Sequence, residues 1–222
     1  MHVVHIPTHG VEINGLIYVP AGAGPHPVVI LFHGLPGNEQ NLDLAQALRR
    51  AGWNVLTLHF RGSWGSPGTY SYQHQLEDAQ AAVDFVRDAR RALVLISATD
   101  DAGEAVAVSS DPRKWRAWIH DSFDEMESLV GCTPDSLANE LRAHARAWSF
   151  AAAAPRLTHT PILMITADDG FRAEGEAFAQ AIVAAGGSAP THVHMQADHP
   201  YSDHRIALQE AVVYWLQGYR DG

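Results

Sequence analysis

The sequence lacks most of what a secreted, membrane-spanning or nucleic-acid-binding protein needs. It has one cysteine in 222 residues, which excludes an internal disulfide framework. Its longest apolar runs have the length of a strand and are too short to cross a bilayer. Its start lacks the basic and apolar regions of a signal peptide. The net charge of -10 disfavours a surface for phosphate backbones. We therefore expect a cytoplasmic protein with neither nucleic-acid nor membrane partners.

Apolar runs of strand length alternate with segments of helical periodicity over most of the chain. The predicted strands include the β-branched, continuously apolar run at residues 28–32, which is typical of a strand buried on both faces, and further buried strands at residues 53–60 and 93–97. They cover residues 28–32, 53–60, 93–97, 161–166 and 191–197, and the predicted helices cover 41–51, 74–89, 171–185 and 203–219. Residues 2–19 predict a hairpin that turns at Asn14-Gly15. This alternation predicts an α/β fold with a doubly wound, mostly parallel sheet.

Residues 99–155 differ from the rest of the chain. They are polar, helical in pattern and rich in tryptophan, and they contain no strand pattern. We predict that this segment is a helical cap inserted into a core formed by residues 1–98 and 156–222. Trp115, Trp118 and Trp148 would either line a small-molecule pocket or pack as the core of the cap itself.

Chemically useful side chains follow the predicted strands, where doubly wound sheets place their active groups. The turn at Gly34 and Leu35 can point a backbone N–H at a developing oxyanion. The pair Asp168-Asp169 follows the strand PILMIT and offers a carboxylate. His199 lies in the loop after the last strand and is a natural general base.

Three segments together resemble the α/β-hydrolase family, in particular bacterial esterases and dienelactone-hydrolase-like proteins. They are HGLPGNEQNLDLAQALRRAGWNVLTLHFRGSWGSPGTYSYQHQLEDAQAAVDFVR, PILMITADDG and ADHPYSDHRIAL. The resemblance implies a small ester as substrate and no cofactor. It assigns Leu35, with Gly34, to the oxyanion hole, Asp169 rather than Asp168 to the acid, and His199 to the base. His204 is then a residue at the start of the last helix.

One part of the family pattern is missing from this chain. The turn Gly-x-Ser-x-Gly, which holds the nucleophilic serine between a strand and a helix, occurs nowhere. The helix ending in VRDARR runs directly into the strand ALVLIS, so a unit of about 30 residues, one central strand with its elbow and helix, is absent near residues 87–92. The strands on either side must pair directly or leave an unpaired edge.

Without the elbow, the chain offers no nucleophile in the expected setting. Ser97 ends a strand and is the strongest substitute nucleophile, ahead of Ser63, Ser66 and Cys132, although Ile96 and Ala98 flank it where the strained turn needs glycine. The sequence therefore predicts an ester-hydrolase-like protein whose catalysis is impaired.

Two other functions remain open from the sequence. The protein is a non-catalytic module that binds a small molecule, or it is a metal-binding protein that uses His192, His194 and His199. The first two of these histidines lie on one side of a strand because they are two residues apart. However, no helix-borne His-x3-His spacing is present, and we predict no metal.

Overall fold

The computed structural model describes residues 1–86 and 92–220. The strands are β1 (His2–Thr8), β2 (Val11–Tyr18), β3 (Val28–Leu31), β4 (Asn54–Leu58), β5 (Leu93–Ile96), β6 (Ile162–Thr166) and β7 (Thr191–His194). The helices are α1 (Leu42–Arg50), α2 (Tyr72–Val86), α3 (Asp101–Val108), α4 (Pro112–Ser122), α5 (Pro134–Trp148), α6 (Phe150–Ala153), α7 (Arg172–Ala184) and α8 (Arg205–Arg220). Strands and helices alternate as the apolar pattern predicts, so the α/β fold class is confirmed.

The first sheet contains four strands in the order β1-β2-β4-β3. The pairs β1–β2 and β2–β4 are antiparallel, and β3 runs parallel to β4. The core on this sheet is built from fully buried aliphatic side chains of β1, β2, α1 and β4: Ile6, Ile13, Leu44, Leu48, Val55 and Leu56.

The second sheet contains three parallel strands in the order β5-β6-β7. All five residues of β6 are buried, because a neighbouring strand flanks it on each side. Ile162 and Met164 of β6 pack with Phe178 and Ile182 of α7 in one apolar cluster. The carboxyl ends of these three strands carry the loops of the candidate site.

The strands β3 and β5 are less buried than their sequences predict. Both are half-buried along their whole length, whereas the sequence predicted strands buried on both faces. That prediction is wrong because each is an edge strand, with one neighbour in its sheet among the described residues. Among the described residues, β3 and β5 therefore each have one unpaired edge, and the missing unit stays a prediction. The predicted position of that unit, near residues 87–92, falls on residues 87–91, which lie outside the described residues.

The N-terminal hairpin is present, but its turn is not at Asn14-Gly15 as predicted. The chain reverses at His9 and Gly10, whose φ angles of 42° and 84° suit the tight turns that join twisted strands. Gly15 lies inside β2 instead, opposite Leu58 of β4. A Cβ atom at that position would lie 3.0 Å from the carbonyl oxygen of Thr57, so glycine is needed there for close packing rather than for a turn.

A buried ion pair fixes the loop that follows β4. The guanidinium Nε of Arg61 donates to Asp78 Oδ1 at 2.7 Å, and the Arg61 backbone N–H donates to Asp78 Oδ2 at 2.8 Å. Thr8 Oγ1 donates to the same carboxylate at 2.8 Å. Because Asp78 is fully buried, these donors offset the cost of removing its charge from water.

The described residues form two compact units, each with its own sheet. One takes in Met1–Ala89, Phe123–Leu137 and Gln217–Gly222, and the other takes in Arg90–Ser122 and Ala138–Leu216. The segment 99–155 holds helices α3 to α6 and no strand among its described elements. Its role as a cap stays a prediction. None of the described helices is both long enough and apolar enough to cross a membrane.

Candidate functional site

Asp169 and His199 lie in the loops after β6 and β7 and form a hydrogen-bonded pair. His199 Nδ1 is 2.9 Å from Asp169 Oδ2. The carboxylate side chain is 4% exposed and the imidazole 53% exposed, so the acid is buried behind a base that faces solvent. With Nδ1 directed at the carboxylate, Nε2 is the nitrogen left to accept a proton. The structure brings the two residues together, and their roles as acid and base stay a prediction.

The Asp169 carboxylate is held in its charged form by several donors. Burial alone would raise the pKa of Asp169, but hydrogen bonds from the Ser97 hydroxyl, the Phe171 backbone N–H and His199 outweigh it and lower that pKa. The Phe171 N–H lies 3.1 Å from Asp169 Oδ1. Asp169 is therefore an anion at neutral pH and can orient and stabilise a protonated His199.

Ser97, the substitute nucleophile considered from the sequence, lies on the side of the acid. It directly follows β5, is 7% exposed, and has a φ angle of 43°. Its Oγ is 2.8 Å from the hydroxyl of Tyr201. A nucleophile must contact the base at hydrogen-bond distance. The described side-chain hydrogen bond of Ser97 is with this tyrosine and not with His199.

Asp168, the second choice for the acid, serves a different histidine. Its Oδ1 is 3.1 Å from His194 Nε2. His194 Nδ1 is 3.1 Å from Thr166 Oγ1, and His192 Nε2 is 2.8 Å from the same hydroxyl. The adjacent carboxylates of this dipeptide therefore hold two separate imidazoles, His194 and His199.

These contacts bear on the metal hypothesis for His192, His194 and His199. The first two histidines share a threonine hydroxyl, and the third pairs with Asp169. Within residues 1–86 and 92–220, no three histidine, cysteine, aspartate or glutamate side chains are grouped so that they could hold a metal ion.

The turn predicted to form the oxyanion hole belongs to the other unit and follows β3. His33 Nδ1 donates to the Gly34 carbonyl oxygen at 2.8 Å, and burial lowers the pKa of His33, so its imidazole is neutral. Trp64 Nε1 donates to the Pro36 carbonyl oxygen at 3.0 Å. No described hydrogen bond engages the backbone N–H of Leu35, the group predicted to face an oxyanion. The turn is thus fixed by its neighbours while that donor stays available.

A carboxyl pair near the same strand ends was not predicted from the sequence. Glu174 Oε2 accepts from the Asp100 backbone N–H at 2.7 Å, and Glu174 also hydrogen-bonds to Glu104. Burial, together with the nearby charges of Glu104 and Asp100, raises the pKa of Glu174 to about 7. Trp118 Nε1 donates to Glu104 Oε2 at 3.0 Å. Glu104 and Glu174 lie on separate helices and 70 residues apart in the sequence, so no local pattern could reveal the pair.

The tryptophans of segment 99–155 contact one another and other side chains of the same segment. The rings of Trp115 and Trp118 stack with centroids 5.3 Å apart, and the guanidinium of Arg142 lies 4.9 Å from the Trp115 centroid. Trp148 stacks on His144 at 4.3 Å. These contacts favour the second of the two predicted roles, packing within the segment.

No protein-family model matches the chain, and no curated protein matches its sequence. Solved structures do match in fold. Est1E from Butyrivibrio proteoclasticus, with ferulic acid bound, is 17% identical with a TM-score of 0.68, and the match covers 97% of this chain and 98% of that one. A thermostable carboxyl esterase from Bacillus coagulans is 12% identical with a TM-score of 0.69, covering 98% of each chain.

A third match carries a different activity. The bottromycin epimerase BotH, in complex with bottromycin A2, is 17% identical with a TM-score of 0.57, covering 97% of this chain and 100% of that one. Likeness at these identities concerns the fold, which can host unrelated activities. The chain therefore has an α/β-hydrolase fold, one that among these solved structures serves a carboxyl esterase and an epimerase.

Proposed function

We propose that this protein is an ester-hydrolase-like member of the α/β-hydrolase fold that keeps its acid and base but lacks the serine step. The observation that carries the proposal is the 2.9 Å hydrogen bond between Asp169 and His199 at the carboxyl ends of β6 and β7. In this fold an acid and a histidine in that order belong to an esterase triad. The first member of the triad, a serine in Gly-x-Ser-x-Gly, is absent from the sequence.

The proposed chemistry follows from what each residue can still do. In an intact triad the histidine removes the proton of the serine hydroxyl, which attacks the ester and forms an acyl-enzyme. Here His199 Nε2 can take a proton only from water, while Asp169 stabilises the resulting imidazolium. The turn at Gly34 and Leu35 stays the proposed source of one oxyanion donor, and the second donor of such a hole is lost with the elbow. Loss of the nucleophile in a serine protease lowers kcat by about 10⁶-fold, so turnover of esters should be negligible.

The class of ligand is proposed from the compared structures. One of them is named as a carboxyl esterase, and another, Est1E, holds ferulic acid. We assign small carboxylic esters as the compounds that this site would recognise. The epimerase among the matches is the reason to test activity directly rather than assume it from the fold.

A direct assay tests the proposal. With p-nitrophenyl acetate and butyrate, the purified protein should show no burst of nitrophenol and a turnover indistinguishable from that of His199→Ala. The burst is the relevant signal because it reports an accumulating acyl-enzyme. Robust turnover that His199→Ala abolishes would contradict the impaired-catalysis proposal and would require a nucleophile elsewhere in the chain.

A repair experiment tests the position of the missing unit. A strand, a Gly-x-Ser-x-Gly elbow and a helix, about 30 residues in all, would be inserted between Val86 and Ala92. The repaired chain should hydrolyse the same esters, and His199→Ala in that background should abolish the activity. The matched control is the same insertion with alanine in place of its serine. A repaired, folded chain without any turnover would argue against this location.

A further inference from the structure

A second pair of carboxylate and imidazole lies at the ends of β6 and β7, next in sequence to the candidate acid. Asp168 Oδ1 is 3.1 Å from His194 Nε2. The other ring nitrogen, His194 Nδ1, is 3.1 Å from the hydroxyl oxygen of the buried Thr166. That hydroxyl is also 2.8 Å from His192 Nε2. Hydrogen bonds therefore join four side chains in the order His192, Thr166, His194 and Asp168.

The direction of these hydrogen bonds follows from the carboxylate at one end of the row. An ionised carboxylate accepts hydrogen bonds and donates none, so His194 donates to Asp168 from Nε2. In a neutral imidazole the other nitrogen, Nδ1, then carries no proton and accepts. The Thr166 hydroxyl therefore donates its one proton to His194 Nδ1, and its oxygen accepts from His192 Nε2. The row holds His194 in the single tautomer that has its proton on Nε2.

Backbone hydrogen bonds hold the same stretch of chain against the residues that follow β7. The Met195 N–H donates to the Thr166 carbonyl oxygen at 2.9 Å, and the Asp168 N–H donates to the Ala197 carbonyl oxygen at 3.0 Å. The side chain of Asp168 is 60% exposed, so its hydrogen bond to His194, rather than packing, fixes its direction. Asp168 is therefore held both at its main chain and at its carboxylate.

The position of Asp168 bears on the acid because Asp169 is the next residue. The planar peptide between them does not rotate freely, so holding Asp168 limits the directions in which the Asp169 side chain leaves the backbone. On its other side, the Phe171 N–H donates to Asp169 Oδ1 at 3.1 Å. The remaining oxygen, Oδ2, lies 2.9 Å from His199 Nδ1.

We propose that His194 is a positioning residue for the candidate acid. With Thr166 behind it, His194 holds the Asp168 carboxylate in place. Asp169 is thereby set so that its Oδ2 faces His199. This inference rests on the proposed function, in which Asp169 and His199 are the retained acid and base. The two adjacent carboxylates then have separate tasks, since one anchors the loop and the other orients the base.

NMR of the histidine rings tests the inference. At about pH 8, where an ordinary imidazole is neutral, the ¹⁵N shifts of each ring report which nitrogen carries the proton. We expect the proton of His194 on Nε2 and the proton of His199 on Nδ1, facing Asp169. Asp168→Ala removes the acceptor for His194, so His199 should lose its uniform Nδ1–H form and become a mixture of the two tautomers.

Two further variants separate the hydrogen bond of Asp168 from its charge. Asp168→Asn removes the charge but keeps an oxygen that can accept from His194 Nε2, so His199 should stay in the Nδ1–H form. His194→Phe keeps a ring and leaves the charge but removes the donor, so it should shift His199 as Asp168→Ala does. The matched control is Thr191→Val at the exposed start of β7, which should leave both tautomers unchanged.

Three results would overturn the inference. The first is a proton on Nδ1 of His194 in the unmodified protein. The second is a uniform Nδ1–H form of His199 in folded Asp168→Ala or His194→Phe. The third is an equal shift in Asp168→Asn, which would show that the charge acts and not the hydrogen bond.

The tautomers are measured without turnover, so the experiment separates this inference from the proposed function. If the repaired chain stays inactive while Asp168→Ala still shifts His199, the proposed function fails and the positioning role stands. If the repaired chain is active and His199 does not shift, the positioning role alone fails.

Discussion

Two carboxyl groups near the ends of β5 and β6 are shifted in opposite directions by their surroundings. Burial disfavours the charge on both, but Asp169 receives hydrogen bonds from Ser97, Phe171 and His199, and its pKa falls. Glu174 faces Glu104 and Asp100 and receives one backbone donor, and its pKa rises to about 7. The charges of the neighbouring groups and the number of hydrogen-bond donors decide whether the pKa rises or falls, and neither can be read from the residue type.

The raised pKa of Glu174 predicts a pH-dependent stability. Glu174 holds its proton up to about pH 7 in the folded chain but only to about 4.5 when unfolded, so the folded state binds more protons between these values. The stabilising contribution is therefore complete below about 4.5 and is lost as the pH rises through about 7. We expect the unfolding free energy, relative to that of Glu174→Gln, to fall from pH 5 to pH 8.

Urea denaturation at several pH values measures this difference. Comparison with Glu174→Gln cancels the contributions of all other titrating groups to the unfolding free energy, since this variant keeps the same neighbours, including Asp100 and Glu104. Glu176→Gln on the same helix is the control, because Arg172 lowers the pKa of the exposed Glu176 and its titration lies below this window. A difference between Glu174→Gln and the unmodified protein that stays constant with pH would contradict the prediction.

At the level of elements, sheet position explains where the sequence predictions succeeded and failed. ILMIT and LVLI are similarly apolar, yet β6 is entirely buried and β5 is half-buried. The apolar pattern identifies a strand but cannot count its neighbours. The hairpin turn shows the same limit. Asn14-Gly15 is a strong local turn signal, but both residues lie inside β2, which pairs with β4.

The central position of β6 predicts which isoleucine matters most for stability. Ile165 is completely buried in that strand, and Ile165→Ala should cost about 2–5 kcal/mol through lost burial and a residual cavity. Ile206→Ala removes the same atoms from a side chain that is 73% exposed, and it should change stability by about 0.5 kcal/mol or less. Chemical denaturation of both variants measures the difference. Equal costs would show that β6 is not the centre of this core.

For the whole molecule, the division into two units with separate sheets predicts how the chain unfolds. Each unit has its own buried core, one around Ile6, Leu48 and Leu56 and the other around Ile162 and Phe178. We expect the calorimetric enthalpy to exceed the van't Hoff enthalpy, the signature of unfolding that is not two-state.

The variant Ile165→Ala makes the calorimetric prediction more specific. Because Ile165 lies in the second unit, the variant should lower the transition temperature of that unit and leave that of the other unit unchanged. A single two-state transition that shifts as a whole would contradict independent cores.

Local periodicity and short motifs at strand ends predicted most of the elements, the fold class and the order of Asp169 and His199, and the absence of Gly-x-Ser-x-Gly is read from the sequence alone. The assembled fold, by contrast, shows which carboxylate of Asp168-Asp169 holds His199, that Ser97 meets Tyr201, and that burial and the charge of Glu104 act on Glu174. Ser97 and Tyr201 are 104 residues apart, and such contacts depend on how strands assemble, which a one-dimensional pattern does not encode.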